Sequence, residues 1–379
     1  KEGGGKLKSK RVMLLGSSES GKSTFAKQMQ VLFGKGFDDD TRWHHKTIIA
    51  QNICEILRET VDGLHKDELD TRCPVPIPEV QQLIQAALFE KRLSPDQIDT
   101  AQKLWKDEEM NQYFHKYTTM PQIMTYFMPK LDSLEETPPT DQDIITCREL
   151  TSETSETTYE VDGLSISLID IGGRRGERKK WTPVFNKEQI DVVLFFASLS
   201  GYDEVLSEDM KTNRLQESLN LYKEIINHKH LVDSKIILVL SQVDRFREKI
   251  QNKSIDICFP DYEGTNNFEE SLEFVKKKFH KKFHGESLTP TPPNGHKSAR
   301  PKSPRPSGQN HLDCEKYVLV SSILDLTDIK KVAMAALNPD DFFSKEWAIA
   351  KRPEKQPEKE IKGKERKGKG KGKGDKKED

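Results

Sequence analysis

One segment narrows the fold more than any other. Residues 16–23 read Gly16-Ser17-Ser18-Glu19-Ser20-Gly21-Lys22-Ser23, the spacing G-x-x-x-x-G-K-S. The apolar run Arg11-Val12-Met13-Leu14-Leu15 precedes it and predicts a buried strand. Residues 24–33 place Phe25, Met29 and Leu32 on one face and predict a helix. Between a strand and a helix, the glycines let the loop turn tightly, so that backbone N–H groups point inward. The helix N-terminus adds its partial positive charge, and the result is a receptacle for phosphate oxygens. In such a loop Ser20, Gly21 and Thr24 border the phosphates, Lys22 reaches the β- and γ-phosphates, and the Ser23 hydroxyl ligates Mg²⁺. A chance glycine-rich turn would account for the loop alone, but not for the strand and helix that frame it.

The rest of the chain divides by periodicity. Residues 37–139 carry helical spacing, as in Ile48, Ile49, Ile53, Ile56, Leu57, again in Val80, Leu83, Ile84, Ala87, Leu88, and in Ile123, Tyr126, Phe127, Leu131. They predict an all-helical unit of roughly one hundred residues, placed at 37–142. Strand signals return at 164–169, 192–197, 236–240 and 317–320, with helical patterns at 206–226, 268–283 and 328–337, the last stopped by Asn338-Pro339. The fold class is therefore α/β: a mostly parallel sheet with flanking helices from residues 1–36 and 143–350, interrupted by the helical insertion. Residues 287–309, rich in Pro, Ser and basic side chains, predict a disordered insertion. Residues 351–379 predict a disordered lysine- and glycine-rich tail, whose sharper reading is an electrostatic arm for an anionic membrane surface.

Composition removes several classes of function. A formal net charge of -1 argues against a global field for nucleic acid, and no specific nucleic-acid partner is expected. No apolar run approaches the ~20 residues that span a bilayer. Cys54, Cys73, Cys147, Cys258 and Cys314 are scattered without a CxxC, as in a reduced intracellular chain. Position 1 is Lys, so an N-terminal lipidation signal cannot be assessed.

A second motif, Asp170-Ile171-Gly172-Gly173, follows the strand at 164–169. An acidic residue at the carboxyl end of a strand beside a phosphate loop suits a carboxylate that holds the waters around a Mg²⁺, and the Gly173 N–H suits a γ-phosphate. Taken alone, a satisfied strand-end turn explains this motif equally well. With these residues the chain resembles the α subunits of heterotrimeric G proteins. The likeness rests on Glu19-Ser20-Gly21-Lys22-Ser23-Thr24 and Lys27-Gln28-Met29, and on Asp170 through Trp181. It continues in Tyr202-Asp203-Glu204-Val205-Leu206, Asn213-Arg214 and Cys258-Phe259-Pro260-Asp261-Tyr262. It covers roughly residues 10–285 and 317–337. The resemblance implies a Ras-like GTPase domain with an inserted helical domain, GTP and GDP as ligands, and Mg²⁺ as cofactor. It implies that Arg148 is the built-in catalytic arginine and Thr151 the second Mg²⁺ ligand beside Ser23, with Asp170 behind them. Glu19 would pair with Arg148 in the GDP state. Partners would be a βγ dimer, a receptor and an effector, on a cytoplasmic protein peripheral to the inner face of the plasma membrane.

The chain also departs from that pattern. Arg174 stands where the family has the glutamine that orients the attacking water. Arginine donates only, so slow hydrolysis is expected. The guanine-reading Asn-Lys-x-Asp is Ser241-Gln242-Val243-Asp244: Asp244 can still accept from guanine N1–H and the amino group, whereas Ser241 is too short for the asparagine's bridge and Gln242 has less stem to cover the base. Ser322 corresponds only loosely to the last base-contacting loop. Before the first strand there is no long helix for a βγ dimer, which leaves a switch helix at 174–181 as the other βγ surface. Where the family's receptor-entering tip would follow the last helix, the lysine-rich tail follows instead. A nucleotide-stabilised interaction module with negligible hydrolysis is the competing reading, and a P-loop kinase or ATPase is a third.

Overall fold

The computed structural model describes residues 9–161, 163–187, 189–283, 317–322 and 324–343. The segments 287–309 and 351–379, and Cys314, lie outside the described residues. β1 (Ser9–Gly16), β2 (Ser155–Val161), β3 (Leu164–Asp170), β4 (Val192–Ser198), β5 (Lys235–Ser241) and β6 (Val318–Ser321) form one six-stranded sheet in the order β2-β3-β1-β4-β5-β6. All pairings are parallel except β2 with β3. The parallel strands read as continuous apolar runs because both of their faces are covered. Met13 and Leu15 of β1 point into one core with Phe195, while Val12 and Leu14 point into another with Phe196. The antiparallel β2 escapes the periodicity reading because it is a polar edge strand, with only Tyr159 and Val161 buried.

Helices cover the two faces. α1 (Lys22–Phe33) packs Phe25 and Met29 onto the Val12/Leu14 face. Then α2 (Asp39–Lys66), α3 (Ile77–Glu90), α4 (Pro95–Lys106), α5 (Glu108–Tyr117), α6 (Pro121–Phe127), α7 (Leu131–Glu136) and α8 (Asp141–Thr146) follow one another without a strand. They build their own core from residues such as Ile53, Leu57, Ile84, Leu104, Phe114 and Phe127. Asp38 caps α2 by accepting from the Thr41 N–H at 2.8 Å, and the buried positions of α2 recur at helical spacing from Ile48 to Leu64. α9 (Trp181–Lys187), α10 (Arg214–Ile226), α11 (Val243–Ile250) and α12 (Phe268–Phe283) cover the Met13/Leu15 face through Trp181, Leu219, Phe246 and Phe279. α13 (Leu326–Leu337) joins α1 on the opposite face through Ile329 and Val332.

Two expected helix bounds shift and one helix is followed by an extra turn, each for a local reason. The helix expected from residue 206 begins at Arg214, where the Asn213 side chain accepts from Leu215 N–H at 3.0 Å and Gln216 N–H at 3.1 Å. The stretch before it is a loop closed by the Asp209 carboxylate, which accepts from the N–H groups of Lys211 and Thr212 at 3.0 and 2.9 Å. The expected switch helix at 174–181 is a turn and a short 3-10 segment, Arg178–Lys180, ahead of α9. Asn338 ends α13 as expected, yet one helical turn resumes at 339–343, because proline is well placed at a helix start.

Candidate functional site

The sheet order sets the site. β1 has β3 on one side and β4 on the other, so the loop leaving its carboxyl end sits where chain direction across the sheet reverses, the usual ligand position in such sheets. Gly16 leaves β1 with a φ of 143°, and a Cβ there would strike the Phe196 carbonyl on β4. Gly21 gives way to α1, so the first N–H groups of α1 face the loop's interior. Lys22 is buried. Its ammonium donates to the carbonyls of Ser17 at 2.7 Å and Gly16 at 3.2 Å and to Ser20 Oγ at 3.3 Å. Burial pulls its pKa down to about 8, with the Asp170 carboxylate opposing that shift.

A cavity of about 520 Å³ opens over this loop. Of the residues singled out above, Glu19, Ser20, Gly21, Lys22, Ser23, Thr24, Arg148, Thr151, Gly173, Arg174, Gln242 and Asp244 line it. Gly16, Asp170 and Ser241 stand behind the lining as supports. Ser322 is not on the wall: its N–H donates to Asp328 at 2.8 Å, and Leu324 from the same loop lines the cavity instead. The opposite wall comes from the helical insertion through Met120, Pro121, Ile123 and Tyr126. Gly173 must be glycine, because a Cβ would strike the Gly16 carbonyl and the Lys22 ammonium.

On the metal side, Ser23 Oγ and Thr151 Oγ1 lie 2.6 Å apart although they are distant in sequence. Asp170 is buried behind them, its Oδ1 has no hydrogen-bond partner among the described residues, and burial pushes its pKa up against the pull of Lys22. Two adjacent hydroxyls and a buried carboxylate oxygen without a donor fit a hydrated Mg²⁺, which binds few protein ligands and keeps several waters. Among the described residues no cluster of three or more His, Cys, Asp or Glu side chains forms an all-protein metal cage.

On the base side, the altered motif still grips the phosphate loop. The Ser241 hydroxyl donates to the Ser20 carbonyl at 2.7 Å and to the Ala197 carbonyl at 3.2 Å, so the serine does reach the loop. Gln242, at a φ of 57°, donates from Nε2 to the Glu19 carbonyl at 3.2 Å and accepts at Oε1 from the Ser198 and Ser200 hydroxyls. Its stem is thereby held against the loop. Asp244 is exposed on the cavity wall and has no ion pair or hydrogen bond to another side chain among the described residues.

Ion pairs and hydrogen bonds between distant positions complete the site. Glu19 is clasped between Arg148 and Arg214, the latter 3.0 Å away, and Arg214 also pairs with Glu204. Arg178 donates to the Gly173 carbonyl at 3.1 Å and to Glu217 at 2.8 Å, and Arg175 reaches Glu217 and Asp209 as well. Among the described residues Arg174 has no such anchor, and its buried Nε is without a partner. Lys27 and Asn52 hold the segment that carries Arg148. The segments that carry the resemblance include Lys27, Arg175, Arg178, Glu204 and Arg214, but not Asn52, Asp209 or Glu217. The others act through contacts between positions far apart in the chain.

A strand–loop–helix phosphate cradle at a sheet switch point, closed over by a helical insertion, defines a P-loop nucleotide-binding protein. The family model described as G-protein alpha subunit matches residues 2–298. The chain is 34% identical over 282 residues to the guanine nucleotide-binding protein alpha-2 subunit of Dictyostelium discoideum, covering 71% of this chain and 78% of that protein. It is 32% identical over 276 residues to the alpha-3 subunit of Caenorhabditis elegans, with the same coverage of 71% and 78%. The chain therefore belongs to the G-protein α-subunit family, guanine-nucleotide-binding signal transducers that hydrolyse GTP. No helix among the described residues is long and apolar enough to cross a membrane.

Proposed function

We propose that this chain binds GTP and GDP between its sheet and its helical insertion, switches between the two states as a signal transducer, and hydrolyses GTP slowly. The observation that carries the reading is one cavity that takes in the phosphate-side residues Lys22, Ser23, Thr151 and Arg148 together with the base-side carboxylate Asp244. Lys22 neutralises β- and γ-phosphate charge. Arg148 presents a planar fork of donors to the oxygens of the transferred phosphoryl group. Asp244 accepts from guanine N1–H and its amino group, donors that adenine lacks at those positions. Ser23 and Thr151 would hold Mg²⁺, with Asp170 orienting its waters. Bound there, the ion would offset the negative charge of the phosphates.

Arg174 limits the rate. It lines the cavity beside Gly173, where the attacking water must be held by a group that both accepts and donates, and a guanidinium only donates. Single-turnover phosphate release from preloaded GTP tests this. Arg148→Ala should lower the rate by about a thousandfold, and Arg174→Gln should raise it by roughly tenfold or more. A wild-type rate equal to that of Arg174→Gln would remove the slow-turnover reading, and no release from either would leave a non-hydrolysing interaction module. Family members work with βγ dimers, receptors and effectors. For this chain residues 174–181, with Arg175 and Lys179 exposed, form the proposed βγ surface at the inner face of the plasma membrane. A membrane role for the lysine-rich tail falls outside the described residues.

A further inference from the structure

Both main-chain polar groups of Arg148 are held from the helical insertion by one side chain. Asn52 lies on α2 and is 7% exposed. Its Nδ2 donates to the Arg148 carbonyl at 2.9 Å, and its Oδ1 accepts from the Arg148 N–H at 2.7 Å. A peptide N–H can only donate and a carbonyl can only accept, so this pairing fixes the orientation of the amide without ambiguity. The planar amide thus serves Arg148 as a neighbouring strand would, by satisfying both main-chain groups of one residue. Seven positions earlier, two turns back on the same face of α2, His45 Nε2 stands 3.3 Å from the carboxylate of the next residue, Glu149. The Arg148 side chain leaves this fixed peptide toward the cavity, where it meets Glu19.

We propose that Asn52 is a positioning residue for the arginine: the helical insertion sets the Arg148 main chain, and through it the direction of the guanidinium, by this two-point amide clasp. The inference rests on the reading that Arg148 acts in hydrolysis. A guanidinium at the end of a flexible side chain is aimed by its Cα position as much as by its own contacts. Displacements of about 1 Å in such groups lower rates up to roughly a hundredfold. Asn52 does not line the cavity and touches no ligand position, so any effect it has on hydrolysis is transmitted.

The test is single-turnover phosphate release by the full chain, in the native background and in the Arg174→Gln background, alongside GTP affinity by titration calorimetry. Asn52→Ala should slow release about tenfold or more in either background, with GTP affinity within about twofold of the parent. Added to Arg148→Ala, it should cause no further loss. Should Asn52→Ala prove insoluble, Asn52→Asp, which keeps the acceptor for the N–H and loses the donor, should give an intermediate loss with the same dependence on Arg148. Release unchanged by either variant, or a loss that persists undiminished in the Arg148→Ala background, overturns the positioning role while leaving Arg148 catalytic. Release unaffected by Arg148→Ala itself, or negligible in both backgrounds, overturns the catalytic reading of Arg148 and this inference with it.

Discussion

Ser241 and Gln242 show how a recognition loop can lose its usual residue types and keep its grip. A serine hydroxyl and a glutamine amide reach consecutive carbonyls of the phosphate loop, those of Ser20 and Glu19, and so replace a longer bridge by two short ones. On the proposed reading, base discrimination then falls to Asp244, whose carboxylate is on the cavity wall and unengaged by other side chains among the described residues. Asp244→Ala should cost GTP about 1–3 kcal/mol of binding free energy, the penalty of unpairing desolvated donors, and should leave ATP affinity where it was. Calorimetric titration with both nucleotides checks this, and an equal loss for GTP and ATP would show that Asp244 supports the loop without reading the base. Sequence reasoning expected Ser241 to fall short because it compared side-chain lengths. The end of β5, where Ser241 sits buried, is close enough to the loop for a hydroxyl to suffice, and that spacing is a property of the sheet, which no single residue reveals.

At the scale of elements, apolar runs and helical periodicity made the parallel strands and the helices around them legible, because burial on both faces or on one stripe leaves a mark in composition. Elements held by polar contacts left no such mark. β2 was invisible, and residues 206–213 read as helix because the Asp209 and Asn213 contacts that fold them into a loop have no periodicity. The short α8 buries Ile144 and Ile145, and polar contacts fix its start. Asp143 closes its capping box with Thr140, accepts from the Tyr126 hydroxyl at 2.9 Å and pairs with Lys130, which also lies over the Tyr126 ring. Burial alone would raise the Asp143 pKa, but Lys130 and the Thr140 backbone and hydroxyl outweigh it and hold the carboxyl below the usual range. Asp143→Ala should therefore destabilise the protein by about 2–4 kcal/mol at neutral pH. A carboxylate with a depressed folded pKa contributes fully above its unfolded value of about 3.9 and loses that contribution as pH falls through the folded value. Urea midpoints of variant and wild type should accordingly converge below about pH 3.9. A gap that stays constant into acid would mean that packing, not the charge, carries the effect.

For the whole molecule, the question is what keeps the two walls of the cavity together. The helical insertion joins the sheet through two connections, residues 34–38 and 147–154, and α1 grips both with side chains one turn apart. Lys27 donates to the carbonyls of Ile144 at 3.1 Å and Cys147 at 3.4 Å and pairs with Glu149 at 3.4 Å. Gln30 donates from its side chain to the Gly36 carbonyl at 2.7 Å, accepts the Gly36 N–H on its own carbonyl at 3.2 Å, and receives the Tyr159 hydroxyl from β2 at 3.2 Å. Because α1 begins at the phosphate loop, the helix that presents its N-terminus to the phosphates also fixes the hinges of the insertion. If a nucleotide held between the two walls leaves only when they part, contacts at the hinges should set its release rate. Lys27 lines the cavity and would confuse the test by touching the ligand, whereas Gln30 does not. Gln30→Ala removes one good hydrogen bond to the first hinge and one to β2, worth roughly 1–2 kcal/mol together. If opening limits release, dissociation of a fluorescent GDP analogue should quicken by about five- to thirtyfold, with the rate of association nearly unchanged and the phosphate chemistry untouched. Release at the wild-type rate would show that the Gln30 contacts at the first hinge do not set it.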